Sequence, residues 1–410
     1  MTKKEYFITV LILGALTTIS PFSIDMYLPG FPSIAKDLNT SIANVQLSLT
    51  AYLIGISVGQ LIYGPLLDRY GRKLPLYIGL GIYIIASILC AATHSVNELI
   101  IMRFFQALGG CVGLVSAQAL VRDIFPVNKT AQVFSLLTLV VAVSPMIAPT
   151  VGAYVTHAFG WSSVFYVLVL ICLIIFAAAY FKLPQGKTAD TSISLKPKSV
   201  LKNFYTVLKQ PQFRIYMLVG GISSAGSFAY IAGSADVFMN LYHVSEEQYG
   251  WIFALLAFSL IGSTQLNHIF LKYFKSEQLV RAALIYQTTA GVMLIVGAWL
   301  NWYNVWTLVA VMFVFLSGQG LTGPNSTALA LAPFVKHAGS AAAIIGSCRM
   351  AAGGMVSALV SFFHNGSPLP MVVGMFLCPA VGLMILGIKR INKFYRARKN
   401  RGKEATITWD

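Results

Sequence analysis

Four charged side chains of this 410-residue chain stand inside long apolar stretches: Asp25, Arg103, Asp236 and Arg349. An ionisable group in such a setting is costly unless it faces protein or water, so its default chemistry is the binding of a proton or a charged substrate group. Asp25 is the clearest case. It stands in SPFSIDMYLPG, residues 20–30, after a run from Tyr6 that carries no other charge. At 1.5 Å per residue it falls about 28 Å along a helix that crosses a hydrocarbon core about 30 Å thick. Pro21 offers the plainer alternative, a bent helix that delivers the acid to the headgroup layer. Arg103 and Gln106 lie one turn apart on one face of the fourth apolar run. Arg103 comes about 8 Å below the surface where that run begins near Glu98. Its side chain is therefore expected to reach Asp25, the alternative being an arginine that snorkels outward. Asp236 lies in the seventh run and Arg349 about 15 Å into the eleventh, with depths more than a turn apart. Either could be a second coupling group, or the two could neutralise one another.

The elements that must position these groups are membrane spans. Hydrophobic residues make up 57% of the chain and charged residues 10%, with a mean hydropathy of +0.74. That composition excludes a soluble domain. Twelve apolar runs are expected as spans: 6–28, 44–66, 74–93, 97–121, 130–155, 161–183, 213–241, 249–273, 279–300, 304–331, 338–363 and 369–390. They are continuous rather than alternating, which excludes a β-barrel. The N-terminus has the basic start of a signal peptide, but its apolar run continues past signal length without a small-residue cleavage site, so it is expected to stay as the first span.

The net charge of +16 would suggest nucleic acid in a soluble protein. Here Lys and Arg cluster in alternate connections: Lys3 and Lys4, Arg69 to Lys73, Arg122 and Lys129, Lys182 to Arg214, Lys272 to Arg281, Lys336, and Lys389 to Lys403. The intervening connections hold Lys36, Glu98, Glu246 and Glu247, so the positive-inside rule places both termini and the central loop in the cytoplasm, with no nucleic-acid partner. The five cysteines all fall in apolar runs and are expected as free thiols. Residues 184–212 read as a cytoplasmic linker, with a surface helix around 200–208. It divides six spans at 1–183 from six at 213–390, and a basic tail at 391–410 is suited to anionic lipid.

Three further stretches carry recognisable spacing. GPLLDRYGRK, residues 64–73, combines a tight turn with Asp68, Arg69 and Arg72, a cluster able to latch one side of the protein. SPMIAPTVGA, residues 144–153, places Pro145 and Pro149 four apart on one helix face, followed by Gly152. Such prolines bend a helix, and the glycine permits close packing. Gly318, Gly320, Gly323, Pro324 and Asn325 form an approximate counterpart in the tenth span, as suited to a hinge as to a binding surface.

The 64–73 loop resembles the signature loop of the major facilitator superfamily, in which the acid and arginines stabilise the outward-facing state. That resemblance implies the same role for Asp68, Arg69 and Arg72. The stretch from Arg103 to Gly110 resembles the RxxQgxg motif of drug/proton antiporters, whose arginine is implicated in proton coupling. The 144–153 stretch is similar to the antiporter motif ending GPxxGG, but reads APxxGA. Together with IDMYLP at 24–29, VRD at 121–123 and GPN at 323–325, these motifs resemble the bicyclomycin and chloramphenicol resistance branch of multidrug/proton antiporters.

The resemblance implies an all-α integral membrane protein with the major facilitator fold, twelve transmembrane helices as two six-helix bundles. It also implies a monomer in a bacterial inner membrane, without cofactors, exchanging drugs for protons. Asp25 would be occupied alternately by proton and substrate while the halves rock about it. Tyr27, Tyr52, Met146, Tyr230 and Phe253 are expected as pocket walls, since aromatic and methionine surfaces suit bulky amphipathic compounds. A rival is a proton-coupled transporter of one polar metabolite, such as an amino acid or sugar. An integral membrane enzyme would need clustered acids, an HExxH or a nucleophile with its base, and the chain shows none; His268, the only histidine placed within a span, has no ligand partner at usable spacing.

Overall fold

The computed structural model describes residues 2–192, 195–334 and 338–407. Lys336, one of the basic loop residues, lies outside them. The elements are α1 (Lys3–Asp25), a 3-10 turn (Leu28–Gly30), α2 (Phe31–Asp37), α3 (Ile42–Tyr70), α4 (Lys73–Ala91), α5 (Val96–Ile124), α6 (Val127–Phe159), α7 (Ser162–Lys182) and α8 (Pro197–Leu208). There follow α9 (Pro211–Ala235), a π-helical turn (Asp236–Leu241), α10 (Glu246–Phe270), α11 (Ser276–Trp299), α12 (Val305–Leu331), α13 (Ala338–Phe362) and α14 (Leu369–Ile407). Twelve segments are long and apolar enough to cross a membrane, and the first of them, Lys3–Asp37, includes α1, the 3-10 turn and α2. The short α8, in the stretch expected as a linker, is the surface helix foreseen around 200–208.

Local chemistry explains where the helices start and stop. The face that carries Lys3, Arg72 and Lys182 is the basic face, and the opposite one is the far face. Four of the helices that begin on the far face open on side-chain caps: Ser41 accepts from the Asn44 amide, Ser95 from Glu98, and Ser245 and Asn304 form reciprocal boxes with Gln248 and Thr307. Each cap satisfies an orphan amide at the helix start and contributes about 1 kcal/mol. Gly71 and Gly160 end α3 and α6 with φ of 78° and 82°, a backbone conformation that glycine adopts without steric cost.

The first bundle packs α5 against α1, α3 and α4, and the second packs α9 against α12, α13 and α14. The halves meet along two seams, α3 against α13 and α6 against α10. Hydrogen bonds across the first seam run from the far face to mid-span. Ser361 donates to the Ala43 carbonyl, Thr50 donates to Ser357 at 3.0 Å, and Ser57 bonds the Ser347 hydroxyl and carbonyl at 2.9 Å. Ser33 on α2 reaches Glu246 on α10 at 3.4 Å. The halves are thus stitched together over their far-face portions.

The basic face is organised differently. Arg72 donates to Asp68 at 2.7 Å and to Asp123 at 2.6 Å, and the Lys187 amide donates to Asp123 at 2.9 Å. This cluster ties α3, α5 and the chain after α7 within the first bundle. Burial works against the Arg72 charge, but the hydrogen bonds it donates to Asp123 and Asp68 outweigh it, and the guanidinium holds its proton above the ordinary arginine range. Arg69 stands over Tyr70, 5.9 Å from the ring centroid.

Candidate functional site

Asp25 is the last residue of α1. The helix runs through Pro21, breaks after Asp25, and the chain turns through Leu28–Gly30 into α2. The break is held from behind by α6: a methyl group added at Gly152 would collide with the carbonyl of Met26. One residue type in the 144–153 motif thereby acquires a physical reason. Pro145 and Pro149 both lie inside an α6 that remains one continuous helix. Thr150, beside Pro149, packs against Gly250 of α10 in the other half.

Asp25 is buried, 4% exposed, so the alternative of an acid released into the headgroup layer does not hold. It forms no ion pair among the described residues. Two phenols of the second half, Tyr230 on α9 and Tyr249 on α10, lie within its electrostatic reach. Tyr249 is bonded to Ser234 at 2.8 Å, and Tyr230 stacks on Phe253 with centroids 5.4 Å apart. The Tyr230 hydroxyl is buried without a hydrogen-bond partner. A buried carboxylate at the negative end of a helix, near phenols across the seam between two bundles, has the chemistry to hold a proton or a cationic group.

Arg103 corrects the expected bridge. It is fully buried, so it does not snorkel, yet it makes no ion pair with Asp25. Its guanidinium donates to Gln106 at 2.6 Å and to the Ser23 carbonyl at 2.9 Å. It lies 4.1 Å from the Tyr52 ring centroid, 4.5 Å from Tyr27 and 5.8 Å from Phe165. Each desolvated cation–π contact is worth about 2 kcal/mol, so rings and a carbonyl compensate where a carboxylate was expected. The contacts nevertheless concern Asp25, because Ser23 and Tyr27 flank it. Gln106 donates onward to Ser87 at 2.7 Å, and Ser23 bonds Tyr83 at 2.6 Å. Arg103 and Gln106 therefore clamp the chain on both sides of the acid and leave the acid free.

The expected pocket walls separate into two groups. Tyr230 and Phe253 stand with Asp25. Tyr27 and Tyr52 instead wall the Arg103 cage, where Tyr27 also bonds Ser48 at 2.8 Å. The Tyr52 hydroxyl, beside Ser20 and Ser23, and the Ser20 hydroxyl are both buried without partners. Met146 is half-buried on α6.

Asp236 and Arg349 do not neutralise one another. Asp236 opens the π-helical turn and accepts from Asn240 at 2.8 Å, while its other oxygen meets His364 Nε2 at 2.8 Å. Arg349 lies on α13 within a span, where its side chain forms no ion pair with Asp236. Sequence reasoning missed His364, which sits in the loop after α13 and carries no motif. It also missed Gln46, whose amide is 1% exposed with neither atom partnered. The glycines of the tenth span serve close packing: Gly318 lies against Gln287, and Gly320 against Ser263 and the Leu260 carbonyl. Around them Gln287 bonds Phe315, Gln319 and Thr322, and Asn325 donates to Asn267 at 2.6 Å. The five cysteines are free.

Comparison with known proteins supports this reading of the architecture. The Major Facilitator Superfamily profile matches residues 13–358. The "Bicyclomycin resistance protein homolog" of Haemophilus influenzae is 32% identical over 382 residues, covering 93% of this chain and 96% of the relative. The "Chloramphenicol resistance protein" of Pseudomonas aeruginosa is 27% identical over 407 residues, covering 96% and 92%. Among solved structures, a D-xylose-proton symporter superposes with a TM-score of 0.73 at 14% identity, over 92% of this chain and 96% of that one. That last likeness concerns the fold alone.

Proposed function

From the premise that the chain belongs to the major facilitator superfamily, a membrane transporter of twelve spans and not an enzyme, we propose that it is a proton-coupled multidrug efflux antiporter. It exports small amphipathic compounds of the chloramphenicol or bicyclomycin kind from a bacterial cytoplasm, with the basic face and both termini cytoplasmic. Asp25 carries either a proton or the substrate, and the two bundles rock about it.

The observation that carries this reading is the acid itself: buried, without an ion-pair partner, and flanked by two residues that Arg103 holds in place. A carboxylate that holds either a proton or the substrate, by charge when the compound is a cation and by accepting its hydrogen bonds when it is neutral, suffices to link the two fluxes in opposite directions. The Tyr230–Phe253 stack, with the unpartnered Tyr230 hydroxyl, supplies an apolar wall with polar tips for amphipathic compounds. Asp68, Arg72 and Asp123 form the cytoplasmic latch, engaged within the first bundle while the far face is closed.

The reading is tested in reconstituted vesicles at a fixed pH gradient. Chloramphenicol, a bicyclic peptide antibiotic and a lipophilic cation are added in turn, and proton flux is recorded. Drug-evoked proton movement that disappears in Asp25→Asn is expected. A wild type that ignores all three compounds would overturn the multidrug reading and favour a single polar metabolite.

A further inference from the structure

Outside the Asp25 site, Asp236 and His364 form an acid–base pair in salt-bridge contact in the second half. Asp236 is 6% exposed and begins the π-helical turn. Its Oδ1 accepts from Asn240, and its Oδ2 lies 2.8 Å from His364 Nε2. The pair therefore joins the end of the seventh span to the loop between α13 and α14.

Each partner is attached to a contact between the two halves. On one side, the π-helical turn packs on α2 of the first half, and Val237, Phe238 and Met239 share a core with Phe31 and Ile34. On the other side, the His364 amide donates to the Ser361 carbonyl at 3.2 Å, and the Ser361 hydroxyl donates to Ala43 of α3. A change in the bond between Asp236 and His364 thus acts on two far-face closures together.

We infer that the Asp236–His364 pair is a second proton-binding site, which sets how firmly the far face closes. The carboxylate accepts the Nε2 hydrogen, which leaves Nδ1 as the atom that takes up a proton from the far side. His364 is 29% exposed at its side chain, so that nitrogen is within reach of solvent. Imidazole is the side chain whose charge changes between about pH 5 and 8. On protonation the imidazole becomes a cation, and its hydrogen bond to the carboxylate becomes an ion pair between opposite charges, shorter and stronger. A proton arriving from outside therefore favours the state in which the π-helical turn and the 363–368 loop are held together and the far face is shut.

Other ionisable groups on the elements packed against the turn are Arg214, Tyr216 and Tyr230 of α9, Lys36 and Asp37 of α2, Glu246, Glu247, Tyr249 and His268 of α10, and His243 in the intervening loop. Asp37 is engaged by Trp161 at 2.8 Å, Glu246 by Ser33, and Tyr249 by Ser234. Tyr242, which ends the turn, donates to the Tyr303 carbonyl at 3.2 Å. None of them forms an ion pair with Asp236 or His364 among the described residues.

The inference concerns gating, and it is tested without substrate or gradient, so its outcome is independent of the antiport reading. Spin labels are placed at Lys36→Cys and Glu247→Cys, one on each half at the far face, in a background lacking the five native cysteines. The distance distribution is recorded between pH 8.5 and 5.5 in the full-length protein in lipid nanodiscs. The ratio of closed to open populations is expected to rise about five-fold on acidification. His364→Gln and Asp236→Asn should each remove that rise, and His364→Lys, a permanent cation, should give the closed population at both pH values. A distribution that does not move with pH, or that moves equally in His364→Gln, would overturn the assignment. Retained helical content and a unimodal elution profile distinguish a lost switch from a lost fold.

Discussion

The two halves handle buried polarity in opposite ways. In the first, a cation and an acid lie near each other in space yet form no ion pair: Arg103 is taken up by Tyr52, Tyr27, Gln106 and the Ser23 carbonyl, while Asp25 between Ser23 and Tyr27 has no ion-pair partner among the described residues. In the second, the buried acid and several amides are paired, although the Tyr230 hydroxyl and Gln319 Nε2 have no hydrogen-bond partner. Gln287 bonds Gln319 and Thr322, Asn325 bonds Asn267, and Asp236 bonds His364 and Asn240. On the proposed reading, the difference separates a half that prepares a charge for an incoming ligand from a half that supplies walls and closures. A buried pair that is already matched has little left to offer a substrate, whereas an unmatched carboxylate does.

The comparison breaks most visibly at Arg103. Arg103→Ala removes the clamp on both sides of Asp25 and leaves the Gln106 side chain and the Ser23 carbonyl without their donor. Transport in vesicles is expected to fall about 100-fold, with a loss of about 3–5 kcal/mol in stability read from unfolding in detergent. Arg103→Lys keeps the charge but not the planar fork against two rings, and should recover stability more than transport. An Arg103→Ala protein with normal transport would mean that the acid needs no positioning.

Gly152→Val sharpens the same point from the far side of the helix break. The added side chain collides with the Met26 carbonyl, so α6 must retreat or the break must shift. Transport should fall about ten-fold, with a stability cost of about 1–3 kcal/mol. Equal losses from Gly323→Ala, where added bulk meets open space, would show that the effect is general helix loosening.

The smallest effect on transport belongs to the second half's matched network. Gln287→Leu replaces a hydrogen-bonded amide by an apolar group of similar size. It takes the amide donor from the buried Gln319 Oε1, so it should cost about 1–3 kcal/mol of stability yet leave the transport rate within about two-fold. A large transport defect there would place substrate chemistry in the half described here as scaffold.

Much of this division is legible in the sequence, for reasons that differ by residue. The twelve spans follow from apolar runs, and Asp25 and Arg103 stand out because charge is rare inside them. Helical rise also sets them at comparable depth. Depth alone does not set direction, however, and the bridge expected between them is replaced by a cage whose walls come from α1, α3 and α7. Tyr27, Tyr52 and Phe165 could not be told from ordinary aromatics until those helices were packed. The pairing of Asp236 with His364 spans 128 residues, and a loop histidine carries no periodic signal. Gly152 shows the converse: its motif departs from the resembling pattern, yet the physical need for a small residue at the Met26 carbonyl is plain.

The most direct measurement of the central claim is proton release on ligand binding. Purified wild-type protein in weakly buffered detergent is mixed with a cationic drug at saturating concentration, and the pH change is read with an indicator dye, beside Asp25→Asn and Asp236→Asn. Release of a proton by the wild type and by Asp236→Asn, with none from Asp25→Asn, is the predicted result. Release that persists in Asp25→Asn would contradict the account, because the proton given up would then belong to another group.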